Sequence, residues 1–190
     1  VMHGVAGAIK ARKAAVQAGQ AVGTVGPIQP IEGGAVAGEA GGDVAFLAPE
    51  DVELIIVATI TPDTLTPATA CYVQENIGAR RAIAFDVSAA CSGFLYAMEI
   101  ARKMIAGGAV QNALIIGAEK LSAFVNWNDR GTCILFGDGA GAAVLRKAQP
   151  GEGHILAMDL GTDGSLTHLL NIPGGGSAQP ITPETVSYTH

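Results

Sequence analysis

Ala82-Ile-Ala-Phe-Asp-Val-Ser-Ala-Ala-Cys91-Ser-Gly-Phe94 is the stretch on which the reading of this chain turns. The apolar run Ala82–Val87 reads as a strand, and the small residues Ala89, Ala90, Ser92 and Gly93 let the backbone turn sharply into a helix. Such a turn lifts the Cys91 thiol off the sheet edge and sets it at a helix N-terminus, where unpaired N–H groups favour an anion. Taken alone, the cysteine reads as a buried core residue, because Cys is among the most buried residue types. Its place at the strand-to-helix turn suits a nucleophile as well, and the cysteine alone leaves both readings open.

Outward from this stretch the sequence alternates. Strands are expected over 52–60, 82–88 and 112–119, and helices over 67–78 and 91–107. This is the β-α-β-α-β rhythm of an α/β fold, a parallel sheet covered by helices on its faces. In the helix after Cys91, the residues Leu95, Met98, Ile100, Met104 and Ile105 recur at helical spacing as its apolar face. Glu99, Arg102 and Lys103 are expected toward water, and Gly107-Gly108 as the stop. Further on, strands are expected over 133–137 and 141–147, joined by a tight turn at Asp138-Gly139, with another near 154–160.

Composition narrows the functional classes. The chain has 190 residues, a net charge of −6 and a pI near 5.1, a balance that repels an extended phosphate backbone and argues against nucleic acid as a partner. Apolar runs such as Leu54–Ala58 are far shorter than the ~20 residues that a membrane span needs. No secretory signal is evident at the first residues. The three cysteines, Cys71, Cys91 and Cys133, are widely spaced without a C-x-x-C pair, which argues against a metal site and for a reducing cytoplasm.

Residues 1–46 read differently, with ten Gly and eleven Ala and no periodicity sustained past Gln20. A short helix over 6–18 followed by coil is the expectation from the residues. Gly137, Gly139 and Gly141 alternate without completing a G-x-G-x-x-G or P-loop pattern, so a nucleotide cradle is not expected. Gly174-Gly-Gly176 reads equally as a flexible loop or a backbone approach to a ligand.

Four motifs, in order, are similar to those of one family. They are Asp51-Val-Glu-Leu-Ile-Ile-Val-Ala-Thr59, then Asp86-Val-Ser-Ala-Ala-Cys91-Ser-Gly-Phe94, then Asp129-Arg-Gly-Thr132 running into Leu135-Phe-Gly-Asp-Gly-Ala-Gly141, and finally Asp159-Leu-Gly-Thr-Asp-Gly164 followed by Pro173-Gly-Gly-Gly-Ser177. Over 47–185 the chain resembles the N-terminal half of beta-ketoacyl-[acyl-carrier-protein] synthase III, a condensing enzyme of the thiolase fold. The resemblance implies the first of two thiolase-like halves, with a mixed sheet.

It also implies an acyltransferase of fatty acid biosynthesis, a cytoplasmic homodimer whose Cys91 forms a thioester. Its partners would be acyl-coenzyme A and malonyl-acyl carrier protein, with coenzyme A thioester as substrate and no resident cofactor. By the same resemblance Arg130, with Gly131 beside it, would meet the adenine end of coenzyme A, and Leu135 and Phe136 would lie near the acyl pocket. Thr66 would reach into the partner's acyl channel and, being small, leave room for chains longer than acetyl. Read without the family, Arg130 is a surface charge and Leu135 and Phe136 are sheet core.

The family's Trp and Arg segment for coenzyme A has no match in 1–46, which is read as an out-of-frame segment. Residues 186–190 resemble a non-native tail. The family's catalytic His and Asn belong to its second half, so condensation is not expected of this stretch, whereas self-acylation is. A polyketide-type starter synthase and an inert fragment stand as alternatives.

Overall fold

The computed structural model describes residues 47–183. The helix read over 6–18, the frame proposed for 1–46 and the tail at 186–190 lie outside the described residues.

The described chain forms two compact units, one of residues 47–119 with 139–156 and one of 120–138 with 157–183. The first holds a four-stranded sheet in the order β2-β1-β3-β4, with β1 at Leu54–Ala58, β2 at Ile83–Val87, β3 at Asn112–Lys120 and β4 at Asp138–Arg146. Helix α1, Thr69–Ile77, connects β1 to β2, and helix α2, Gly93–Ala106, connects β2 to β3. Strand β1 runs parallel to both neighbours, with Leu54 opposite Ile83 and Ile55 opposite Leu114. The sheet is mixed and flanked by helices, as expected of an α/β thiolase-like half.

The run Leu54-Ile-Ile-Val-Ala58 occupies the centre because it is apolar on both sides. All five residues are buried. Leu54, Ile56 and Ala58 pack with Ala97 and Ala101 of α2, together with Ala113 and Ile115. Ile55 and Val57 point the other way, toward Ala70 and Val73 of α1, together with Leu114 and Ile116. Two clusters on opposite faces of one strand make three layers, the arrangement that covers a parallel sheet. At the amino end of the strands, buried Asn112 accepts from Glu53 N at 3.0 Å and donates to the Asp51 carbonyl at 3.0 Å.

Three expectations change. The fully buried face of α2 is Gly93, Ala97 and Ala101, spaced by four, while Met98, Ile100, Met104 and Ile105 flank it half-buried and Leu95 is 48% exposed. Small side chains let the helix axis lie close to the sheet, and the bulky ones fill the margins. Glu99, Arg102 and Lys103 do form the outward face, where Arg102 Nε meets Glu99 Oε2 at 2.6 Å.

Asp138-Gly139 is not a hairpin turn. It begins the continuous strand β4, and Cys133–Leu135 before it is a 3-10 turn. Asp138 accepts from Ser122 N at 2.8 Å and Ser122 Oγ at 2.7 Å, which spends its carboxylate on the 3-10 turn Leu121–Ala123. The strand expected near 154–160 is absent among the described residues, since no neighbouring strand supplies ladder hydrogen bonds there.

The second unit is irregular. Its turns are closed by local bonds, such as Gly175 N to Gln179 O at 2.9 Å and Ser165 N to Asp163 Oδ1 at 2.9 Å.

Candidate active site

Ser88 and Ala89 leave the end of β2, and Ala90 then adopts φ +47°, a left-handed conformation that L-residues avoid. The 3-10 turn Ala90–Ser92 follows and passes directly into α2. Cys91 sits inside this turn as an exposed free thiol, whereas Cys71 and Cys133 are free and half-buried. The backbone strain lies on the residue before the sulfur, where a sharp elbow needs it, and such strain costs about 1–3 kcal/mol that the surrounding packing must hold.

Two close approaches supply that packing. A Cβ on Gly93 would stand 3.1 Å from Ala58 Cβ, and one on Gly117 would stand 3.3 Å from Phe94 Cδ2. The first turn of α2 is therefore pressed onto the carboxyl ends of β1 and β3. Carboxyl ends of parallel strands are where α/β folds place their chemistry.

Polar side chains fasten the same rim. Glu119, at the end of β3, accepts from Ile60 N at 2.9 Å and from Thr61 Oγ1 at 2.6 Å, and Thr59 N donates to the Val87 carbonyl at 3.1 Å. Asp86 accepts two backbone N–H groups from the first turn of α1. Neither Glu119 nor Asp86 was singled out by sequence reading. A helix whose own cap position is Ala68, and so offers no side-chain oxygen, was the available hint that an acceptor must come from elsewhere.

Thr66 is exposed in the loop before α1, preceding a cis peptide bond to Pro67. Thr64 Oγ1 closes this loop by donating to the Pro67 carbonyl at 3.1 Å.

Arg130, Gly131, Leu135 and Phe136 belong to the second unit. Arg130 is exposed on a turn organised by Asp129, whose Oδ1 accepts from Gly131 N at 3.0 Å and whose Oδ2 accepts from Thr132 Oγ1 at 2.6 Å. The Thr132 hydroxyl, then the Gly131 N–H, holds the Asp129 carboxyl below the usual carboxylate range. Leu135 is 70% exposed and Phe136 half-buried, and neither lies in a strand, so the sheet-core reading of these two is set aside. A 3-10 turn forms instead because Cys133 N and Leu135 N bond to the Asp129 and Thr132 carbonyls at 3.0 Å each. Among the described residues there is no cluster of three metal-ligating side chains, and no helix is long and apolar enough to cross a membrane.

Comparison with known proteins shows what the chain is similar to. The family model described as 3-Oxoacyl-[acyl-carrier-protein (ACP)] synthase III matches residues 85–164, from β2 through the Cys91 elbow to the end of the Asp159–Gly164 motif. The chain is 58% identical over 143 residues to the beta-ketoacyl-[acyl-carrier-protein] synthase III of Desulfitobacterium hafniense strain Y51, an overlap of 75% of this chain and 43% of that protein. The chain thus spans less than half the length of the curated relatives it matches. Among solved structures it is similar to a beta-ketoacyl-[acyl carrier protein] synthase III from Thermus thermophilus, with TM-score 0.64, 42% identity, and 72% and 41% of the two chains covered. It is also similar to the priming beta-ketosynthase of the R1128 polyketide pathway, with TM-score 0.52, 35% identity, and 54% and 30% covered.

Proposed function

Because the chain belongs to the 3-oxoacyl-[acyl-carrier-protein] synthase III family, we propose that Cys91 accepts an acyl group from acyl-coenzyme A as the entry step of fatty acid chain initiation. The observation that carries the proposal is the exposed thiol at the strained Ala90–Ser92 elbow. The Cys91 thiolate attacks the thioester carbonyl, a new C–S bond forms, the bond to coenzyme A sulfur breaks, and coenzyme A leaves as the thiol with the proton that Cys91 gave up. Covalent catalysis of this kind divides one hard step into two easier ones. The Cys91 backbone N–H supplies one donor to the tetrahedral oxyanion, a contact type whose loss typically costs about 2.7–4 kcal/mol.

In the whole enzyme the second substrate is malonyl-acyl carrier protein. Its decarboxylation yields carbon dioxide and a carbanion that attacks the Cys91 thioester, freeing the thiolate and giving a beta-ketoacyl product. Arg130 and Gly131 take the adenine end of coenzyme A, a task suited to a planar cation that stacks and pairs with phosphate. Leu135 and Phe136 border the acyl pocket, and Thr66 enters the acyl channel of a second copy. The protein is a cytoplasmic homodimer in this reading, and the dimer is supported by β2, which among the described residues is an edge strand of the sheet that a twin strand could join. The proposal includes no resident cofactor. A polyketide-type starter synthase is the second reading, favoured by the likeness to the priming ketosynthase; it shares the Cys91 step and differs in acyl donor and carrier protein.

The test is incubation of the full chain with radiolabelled acyl-coenzyme A, followed by peptide mapping. Label on Cys91 is the expected result. Label spread equally over Cys71 and Cys133, or none, overturns the assignment and leaves an inert fold.

A further inference from the structure

Side-chain hydrogen bonds tie helix α1 to strand β2 and to the residue just before that strand. Near its C-terminal end Gln74 Nε2 donates to the Ala82 carbonyl at 2.7 Å, and at its N-terminal end both oxygens of Asp86 accept backbone N–H groups, Oδ2 from Thr69 at 2.6 Å and Oδ1 from Ala70 at 2.8 Å. Asp86 lies five residues before Cys91, and Thr69 lies three residues after Thr66.

We propose that Asp86 is a positioning residue for acyl-chain selection: it fixes the Thr66 loop relative to β2, and in the proposed homodimer that loop limits the channel leading to Cys91 of the second copy. This rests on the reading of Cys91 as the acylated thiol and Thr66 as a channel residue. A carboxylate that accepts two N–H groups makes a short, charge-assisted fork that restricts rotation as well as separation. It also complements the positive end of the helix dipole. An amide cannot do the same, since its NH2 group meets a backbone N–H donor against donor. With the fork gone, the Gln74 to Ala82 bond and the core packing of Ala70 and Val73 keep α1 on the sheet, but the loop through Thr66 that leads into its first turn loses its directional restraint. Chain-length preference then changes although Asp86 touches no substrate.

The experiment compares initial rates of Cys91 acylation by acetyl-coenzyme A and octanoyl-coenzyme A in the full chain, read by intact mass, for wild type, Asp86→Asn and Gln74→Ala. Displacements of about 1 Å can change rates by up to about a hundredfold, so the acetyl-to-octanoyl ratio is expected to shift by about tenfold in Asp86→Asn and to stay within about twofold in Gln74→Ala. A purely structural role would lower both rates by one factor. An unchanged ratio in Asp86→Asn overturns the inference while the Cys91 assignment stands. A wild type unlabelled on Cys91 overturns both. If circular dichroism shows Asp86→Asn unfolded, Asp86→Glu keeps both oxygens on a side chain one methylene longer; a shifted ratio there supports the inference and an unshifted one overturns it.

Discussion

A Cβ placed on Gly93 would stand 3.1 Å from the Cβ of Ala58, so the first residue of α2 rests directly on the last residue of β1. Overpacking costs about 1–3 kcal/mol and the gain in helix propensity is roughly 1 kcal/mol, so Gly93→Ala is expected to destabilise the chain by up to about 2 kcal/mol. The same variant should slow Cys91 acylation by lifting the elbow. Thermal unfolding checks the first expectation, and adding Ala58→Gly should restore part of the loss. A double variant no more stable than Gly93→Ala would rule out this contact as the cause.

Ala90 holds φ +47°. A left-handed L-residue costs roughly 1–2 kcal/mol, and a glycine costs about 0.5–1 kcal/mol in unfolded-chain entropy, so Ala90→Gly is expected to gain up to about 1 kcal/mol. Ala90→Val should lose stability. Urea midpoints that fall for the glycine variant would contradict the strain.

Exposure sets the order of thiol labelling. Cys91 is exposed while Cys71 and Cys133 are half-buried, so limiting iodoacetamide should modify Cys91 first by peptide mapping. Cys91→Ala should leave only slow incorporation. Equal rates at all three positions would argue against an open elbow.

Asn112 is 9% exposed, accepts from Glu53 N and donates to the Asp51 carbonyl. Replacement by Ala strands a backbone donor and a carbonyl, with an expected cost of about 1–3 kcal/mol in chemical denaturation. A change below experimental error would mean that water replaces both bonds.

The Arg146 guanidinium, then the Gln149 N–H, pulls the Glu152 carboxyl from 4.5 down to about 2. A depressed carboxylate contributes stability that is present above its unfolded value and is lost as pH falls from about 4.5 through about 2. The pair is exposed, so its contribution is small and weakens in salt. A carbon-detected titration of Glu152 should place the midpoint near 2, and Arg146→Ala should move it back toward the ordinary range. A wild-type midpoint already in that range would show the pair to be open in solution.

The fold was legible where sequence pattern and environment coincide. An apolar run as uniform as Leu54–Ala58 has no polar face to expose, which makes a central strand the readiest place for it, and small residues around Cys91 permit one sharp turn. The face of α2 was misread because periodicity weighs side-chain size, whereas close packing against a sheet favours the smallest residues, Gly93, Ala97 and Ala101. Asp138-Gly139 carried the local signal of a turn, and a bond to Ser122, sixteen residues earlier, overrode it. Asp86 and Glu119 were missed for the same reason. Their partners are Thr69, Ala70, Ile60 and Thr61, and apart from the uncapped start of α1 at Ala68 nothing in the neighbouring sequence announces a bond across 16 to 59 residues.

The central place of β1 also sets a schedule for synthesis. One side of Leu54–Ala58 can pair with β2 about thirty positions later, but its other side pairs only with β3, and the bonds from Glu53 to Asn112 and from Ile60 to Glu119 each span 59 positions. At about 5–20 residues per second, a nascent chain keeps that apolar edge unpaired for roughly 3–12 s. During this interval the Cys91 elbow has already been made but has only half its platform, since Gly117 has yet to emerge beneath Phe94. The thiol therefore reaches its working position only after translation has passed β3, and codon choice or chaperone occupancy between residues 59 and 112 would govern how much of the chain arrives there.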